Sequence, residues 1–106
     1  MADTLKRLSG PTALTTGAVT QYTAPALTTA VIRSIHVCNE TAADHNFTLS
    51  IGTDGAGKRL FKSYTVIAND AFDWSGNIVL AAAEIVQALA DAGTALTLTV
   101  SGIEST

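Results

Sequence analysis

His36 and Cys38 stand two positions apart, and on an extended strand that spacing puts both side chains on one face, where an imidazole could activate a thiol. Side chains so placed lie roughly 6 to 7 Å apart, too far for a direct hydrogen bond without bending. The sequence names no oxyanion donors and no orienting acid beside them. His36 is therefore read as a structural histidine, and Cys38, the only cysteine of the chain, as a small apolar side chain. His45 follows the polar run Thr41-Ala42-Ala43-Asp44, with Glu40, Asp44 and Asp70 as available carboxylates. A turn position predicts a solvated imidazole rather than a metal ligand, and no second cysteine or ordered His/Cys spacing builds a zinc site.

A second group invites phosphate chemistry. Gly52-Thr53-Asp54-Gly55-Ala56-Gly57-Lys58 matches the first seven positions of the nucleotide phosphate loop and follows a predicted strand. The eighth position must carry Ser or Thr to hold magnesium, and here it is Arg59, followed by the strand-like Leu60-Phe61-Lys62-Ser63-Tyr64 in place of a helix. Without that helix no N-terminal dipole stands behind the phosphates. The segment reads as a glycine-rich hairpin loop. Asn39-Glu40-Thr41 and Asn46-Phe47-Thr48 fit the glycosylation sequon, but no secretion signal accompanies them. Trp74, beside a turn signal, reads as a lid on the core rather than as an exposed anchor. No catalytic, cofactor or metal-binding residue is assigned.

The elements that would hold these residues are strands. Phe47, Leu49 and Ile51 alternate with small polar residues, as do Leu96, Leu98 and Val100, so each set shares one face of a half-buried strand. Ala30 to Cys38 is β-branched on both faces and predicts a central strand covered from two sides for part of its length. Val19–Thr23, Leu60–Ile67 and Ala71–Leu80 complete the clear strands, with Asn69-Asp70 and Ser75-Gly76-Asn77 as turn signals. Residues 80–91 consist of strong helix formers, Leu80-Ala81-Ala82-Ala83-Glu84-Ile85-Val86-Gln87-Ala88-Leu89-Ala90-Asp91. Strands on both sides with short connections favour two strands and a turn at Ala83-Glu84 over one isolated helix. About eight strands with regular turns predict an all-β, two-sheet sandwich. The jelly roll is preferred and an immunoglobulin-like sandwich is second, since the latter's Cys…Trp…Cys framework needs another cysteine. Residues 1–11 show no alternation and are read as an N-terminal arm on a single sandwich domain, 12–106. Leu5, Lys6, Arg7 and Leu8 within the arm are the candidate partner-binding residues.

Composition narrows the function. The chain has 106 residues, 47% of them hydrophobic and 14% charged, against about 25% charged in ordinary domains. One such domain holds a two-layer core but no second lobe around a substrate cleft. A net charge of −3 and a pI near 5.0 give no basic field for nucleic acid. No apolar run approaches the roughly 20 residues of a membrane span, and Met1 to Arg7 lacks the apolar stretch of a signal peptide. A weakly charged, threonine-rich surface does little to hold copies apart, so self-association is expected.

The succession Val19–Pro25, Thr29–Asn39, Phe47–Gly52, Asp73–Gly76, Ile78–Leu80 and Leu96–Glu104 resembles a group of small virion proteins of tailed bacteriophages. The resemblance spans most of the chain from Val19 to Glu104. Where a glycine-containing turn would follow Leu80, this chain has Ala82-Ala83-Glu84. The resemblance implies a non-enzymatic virion protein, made in the host cytoplasm and assembled into the particle. The first expectation is a capsid decoration protein, a homo-oligomer with a trimer preferred, whose arm meets the major capsid protein. The second is a tail, baseplate or fibre component that uses Gly52–Lys58 against a host surface. A small cytosolic enzyme built on His36 and Cys38 is the third.

Overall fold

Alternation of apolar and polar side chains becomes eight extended segments in the computed structural model, which describes residues 3–106. They are β1 (Asp3–Ala13), β2 (Val19–Thr23), β3 (Thr29–Asn39), β4 (His45–Ile51), β5 (Arg59–Val66), β6 (Asp70–Leu80), β7 (Ile85–Ala90) and β8 (Leu96–Ser105). The inward set on β8 is the expected Leu96, Leu98 and Val100, and on β7 it is Val86, Ala88 and Ala90. Residues 80–91 are thus strand, turn and strand, as preferred over a helix. Pairing decides against the local helix preference there. Ala24 holds both residues of the turn, accepting from Ala83 N–H and donating its own N–H to Glu84 O, both at 2.9 Å. The Glu84 carboxylate accepts from Ala81 N–H at 2.6 Å and ties the turn to itself.

The pairing pattern identifies the topology. Antiparallel partners are β1 with β8, β2 with β7, β3 with β6 and β4 with β5. The chain therefore doubles back about the β4–β5 loop as one long ribbon. Rolling that ribbon adds β3 against β8 and β4 against β7. The product is a first sheet ordered β1-β8-β3-β6 and a second ordered β2-β7-β4-β5, the eight-stranded jelly roll. It is not the immunoglobulin-like order. Between the sheets lie Leu14, Ile32, Ile35, Val37, Phe47, Leu49, Leu80, Val86, Leu96, Leu98 and Val100, all essentially without solvent contact.

Three expectations change at this level. Residues 3–11 do not lie free as an arm: they form most of β1, an edge strand in register with β8 from Asp3 opposite Ser105 to Ala13 opposite Thr97. The pairing is hidden in the sequence because two register shifts, at Arg7/Ser9 and Ser9/Thr12, break the alternation. Ser75-Gly76-Asn77 lies inside β6 and not between strands, opposite the irregularity that leaves Arg33 unpaired in β3. β3 is central within its sheet, yet only its inner face is covered throughout; Val31, His36 and Cys38 on the outer side are partly exposed. Trp74 packs against the core, as a lid should.

One buried polar residue shapes the β3–β4 connection. The Asn39 amide donates to Ala43 O and Val66 O, each at 2.9 Å, and its Oδ1 accepts from Thr41 N–H at 3.0 Å and Thr41 Oγ1 at 2.7 Å. All of the side chain's main bonding capacity is used, which a buried amide requires.

Candidate functional site

His36 and Cys38 do share the outer face of the first sheet, where they line one shallow cavity of about 290 Å³ with Pro11, Glu40, Thr97 and Thr99. The β3–β6 register places Asp73 directly opposite His36, and its Oδ1 lies 2.5 Å from His36 Nδ1. An acid that orients the imidazole is therefore present, though strand pairing rather than sequence proximity supplies it. The pair is mostly exposed, with side chains 45% and 75% accessible, so it remains in water where such pairs are weak. His45 is less open than a turn position suggests: its Nδ1 meets Asp91 Oδ1 at 3.0 Å, between the start of β4 and the β7–β8 turn. Among the described residues no group of three or more His, Cys, Asp or Glu side chains is arranged to hold a metal ion.

The glycine-rich loop is closed from within. Asp54 accepts from Ser50 Oγ at 2.9 Å and from Arg59 Nε at 3.0 Å, while its own N–H donates to Gln87 Oε1 at 3.0 Å. Ile51 N–H donates to Lys58 O, Gly52 N–H to Ile85 O and Lys58 N–H to Gly55 O. Those amides are spent on the hairpin and on β7 and do not fan out towards an anion. Arg59, the residue that breaks the phosphate-loop pattern, is the clamp: its guanidinium, helped by the Ser50 hydroxyl, holds the Asp54 carboxyl below the usual range.

At the opposite edge the two sheets are bridged by Tyr22 of β2, Glu104 of β8 and Lys6 of β1. Tyr22 Oη donates to Glu104 Oε2, and Lys6 Nζ donates to Glu104 Oε1 at 3.2 Å. The Tyr22 bond, then Lys6, lowers the Glu104 pKa. Burial first, and then Glu104, raises that of the Tyr22 phenol. A depressed carboxyl contributes stability that is present above its ordinary pKa of 4.5 and is lost as pH falls. A raised phenol contributes stability present below 10.0 and lost as pH climbs past it. Tyr22→Phe is accordingly expected to flatten the pH dependence of the urea midpoint on both the acid and the alkaline side. Unchanged curves at both ends would show that the bridge carries none of it.

The candidate cluster Leu5, Lys6, Arg7 and Leu8 is divided by the fold. Leu8 points inward and is buried, Lys6 serves the Glu104 bridge, and Leu5 and Arg7 face outward, Leu5 at 79% exposure. Leu5 is not isolated. It lies opposite Ile103, Ile103 opposite Val31, and Val31 opposite Val79. One apolar side chain from each strand of the first sheet thus forms a row across its outer face, ending at Val79, 63% exposed. No protein-family model and no curated protein matches the chain. The row escaped sequence reasoning because each member is a single apolar residue on an otherwise polar face. Only the inter-strand register aligns them.

A second apolar surface sits where β5 and β6, edge strands of different sheets, come together. Phe47, Phe61, Tyr64 and Phe72 pack ring against ring with centroids 4.5 to 5.9 Å apart. Tyr64 and Ile67 remain 44% and 58% exposed beside a shallow cavity of about 300 Å³ that also touches Thr65, Val66, Asp70 and Ala71.

Proposed function

We propose that the chain is a non-enzymatic structural protein of a phage particle, a decoration protein on the outside of the head that works through protein contacts. The observation that carries this reading is the apolar row Leu5–Ile103–Val31–Val79, exposed at both ends and half-buried between, on a hydroxyl-rich sheet face. Isolated exposed apolar residues are ordinary, whereas aligned ones on a sheet mark a contact surface. The jelly roll is used by viral capsid proteins and also by lectins and cupins, so fold alone carries no function. The sequence resemblance to phage virion proteins selects among these uses. A decoration protein needs a surface for its neighbours and another for the shell, and the Tyr64/Ile67 edge is a second surface of that kind. Binding only the assembled shell, it stabilises that shell by mass action.

The test is particle binding and position. Electron micrographs of particles carrying the chain should place it on the head, and Ile67→Asp should reduce its binding to purified shells by about tenfold or more, as burying a charge in an apolar contact does. Density on the tail would overturn the decoration reading. It would favour a fibre or baseplate role, for which the exposed Gly52–Lys58 loop, clamped by Asp54 and Arg59, offers a preorganised contact edge. Deleting residues 1–10 is a poor test, because it removes most of an edge strand along with any contact.

A further inference from the structure

The outer face of the first sheet carries its apolar row between two polar ones. On one side stand Asp3, Ser105 and Thr29, and on the other Arg7, Ser101, Ser34 and Ser75, aligned by strand register, with the exposed Arg33 and Asn77 of the β3–β6 irregularity between the last two and the apolar row. We infer that the occupant of this face is a second copy of the chain, related by a two-fold axis that runs along the apolar row. The inference rests on the reading of this face as a contact surface and names its partner.

Charge selects this arrangement. A two-fold axis along the row sets Leu5, Ile103, Val31 and Val79 each against its own counterpart, and it lays one flanking row over the other. Asp3 of each copy then meets Arg7 of its partner, twice by symmetry, and the hydroxyl rows face each other. An axis along the strands instead sets Leu5 over Val79, leaves Asp3 beyond the end of β6 and places Arg7 over Ser75, one row short of Asp73, so neither charge has an opposite directly across from it. Face-to-face packing of two sheets at about 10 Å is itself an ordinary arrangement.

Size sets the strength. Four strands and three rows cover a patch of about 20 Å by 20 Å, well under the roughly 800 Å² per partner of a standard stable interface. The association is therefore weak and concentration-dependent in solution, and gains strength where many copies are held side by side on one surface.

Sedimentation of the intact chain over a wide concentration range tests this without any particle. A monomer–dimer equilibrium is expected. Leu5→Asp, at an exposed site, is expected to weaken it by about tenfold or more, since it sets like charges against each other on the axis. Arg7→Asp should weaken it similarly, and the exchange Asp3→Arg with Arg7→Asp should return it to within about threefold of the parent. Far-ultraviolet circular dichroism and the urea midpoint of each variant confirm that the fold is intact, and Val79→Asp repeats the test at the other end of the row. A monomer at every concentration, a closed trimer, or an exchange that fails to restore association overturns the inference. So does a monomer whose capture by shells is lost in Leu5→Asp, which would give the face to a shell protein. Finding the chain on a tail instead of a head would defeat the decoration reading while leaving the dimer standing.

Discussion

Phe47→Ala is expected to lower the free energy of unfolding by about 3 to 5 kcal/mol, most of the reserve of a domain this small. Phe47 is fully buried in β4. Its ring lies 5.7 Å from Phe61 and 5.9 Å from Tyr64, both on the neighbouring β5, and 5.6 Å from Phe72 on β6 of the other sheet. With Phe61 and Tyr64 it is one of three rings of the second sheet that pack on Phe72 of the first along the β5–β6 side, and the only one of them fully buried. Truncation removes transfer free energy and leaves a void that the remaining rings, fixed on two strands, can fill only partly. Phe47→Leu, which keeps much of the volume, should cost markedly less. Urea unfolding followed by circular dichroism measures both. A loss below about 1.5 kcal/mol for Phe47→Ala would mean that the cluster relaxes freely and does not hold the edge. The exposed Tyr64 and Ile67 stand on this cluster, so loosening it should also impair shell binding with neither of them altered.

The legible part of the fold is the part set by single strands. Alternation exposes β4 and the greater part of β8 directly, because a sheet with one buried face must write period two into its sequence. The strand count and the short connections predict the jelly roll, and the ribbon pairing of the structure is that topology. Contacts that depend on two strands meeting in a given register were not legible. β1 pairs with a strand about 90 positions away, and its two register shifts erase the alternation that would reveal it. Leu8 and Leu5, adjacent in one short cluster of the sequence, consequently have opposite fates, one in the core and one on the surface. The same limit hid Asp73 from His36 and the apolar row from view, since each needs the β3–β6 register, including the irregularity at Arg33. Residues 80–91 illustrate the reverse case. Their helix-forming composition is a real local preference, overruled by β2 on one side and β4 on the other.

Gly102→Ala is expected to destabilise by about 3 kcal/mol or more, although a glycine replaced by alanine within a strand is ordinarily neutral or slightly stabilising through the unfolded chain. The sign turns on space. A methyl group built on Gly102 would stand 2.0 Å from the carbonyl oxygen of Val31 and 3.1 Å from Leu8 Cδ1. The first contact is with backbone, which cannot swing aside as a side chain can. Relief requires β8 and β3 to part where Gly102 faces Ile32, next to the irregularity at Arg33. The consequence reaches the proposed interface. Val31 and Ile103, the central pair of the apolar row, are chain neighbours of the two residues forced apart, so their register shifts with the strands. Gly102→Ala should therefore lose self-association as well as stability, whereas Leu5→Asp should lose association alone. Measuring the urea midpoint and sedimentation of both variants separates a face that works because its strands are held in register from one that needs only its exposed side chains. A stable Gly102→Ala protein that still associates would show that the backbone accommodates the methyl group and that the close approach of β3 and β8 is not required by either property.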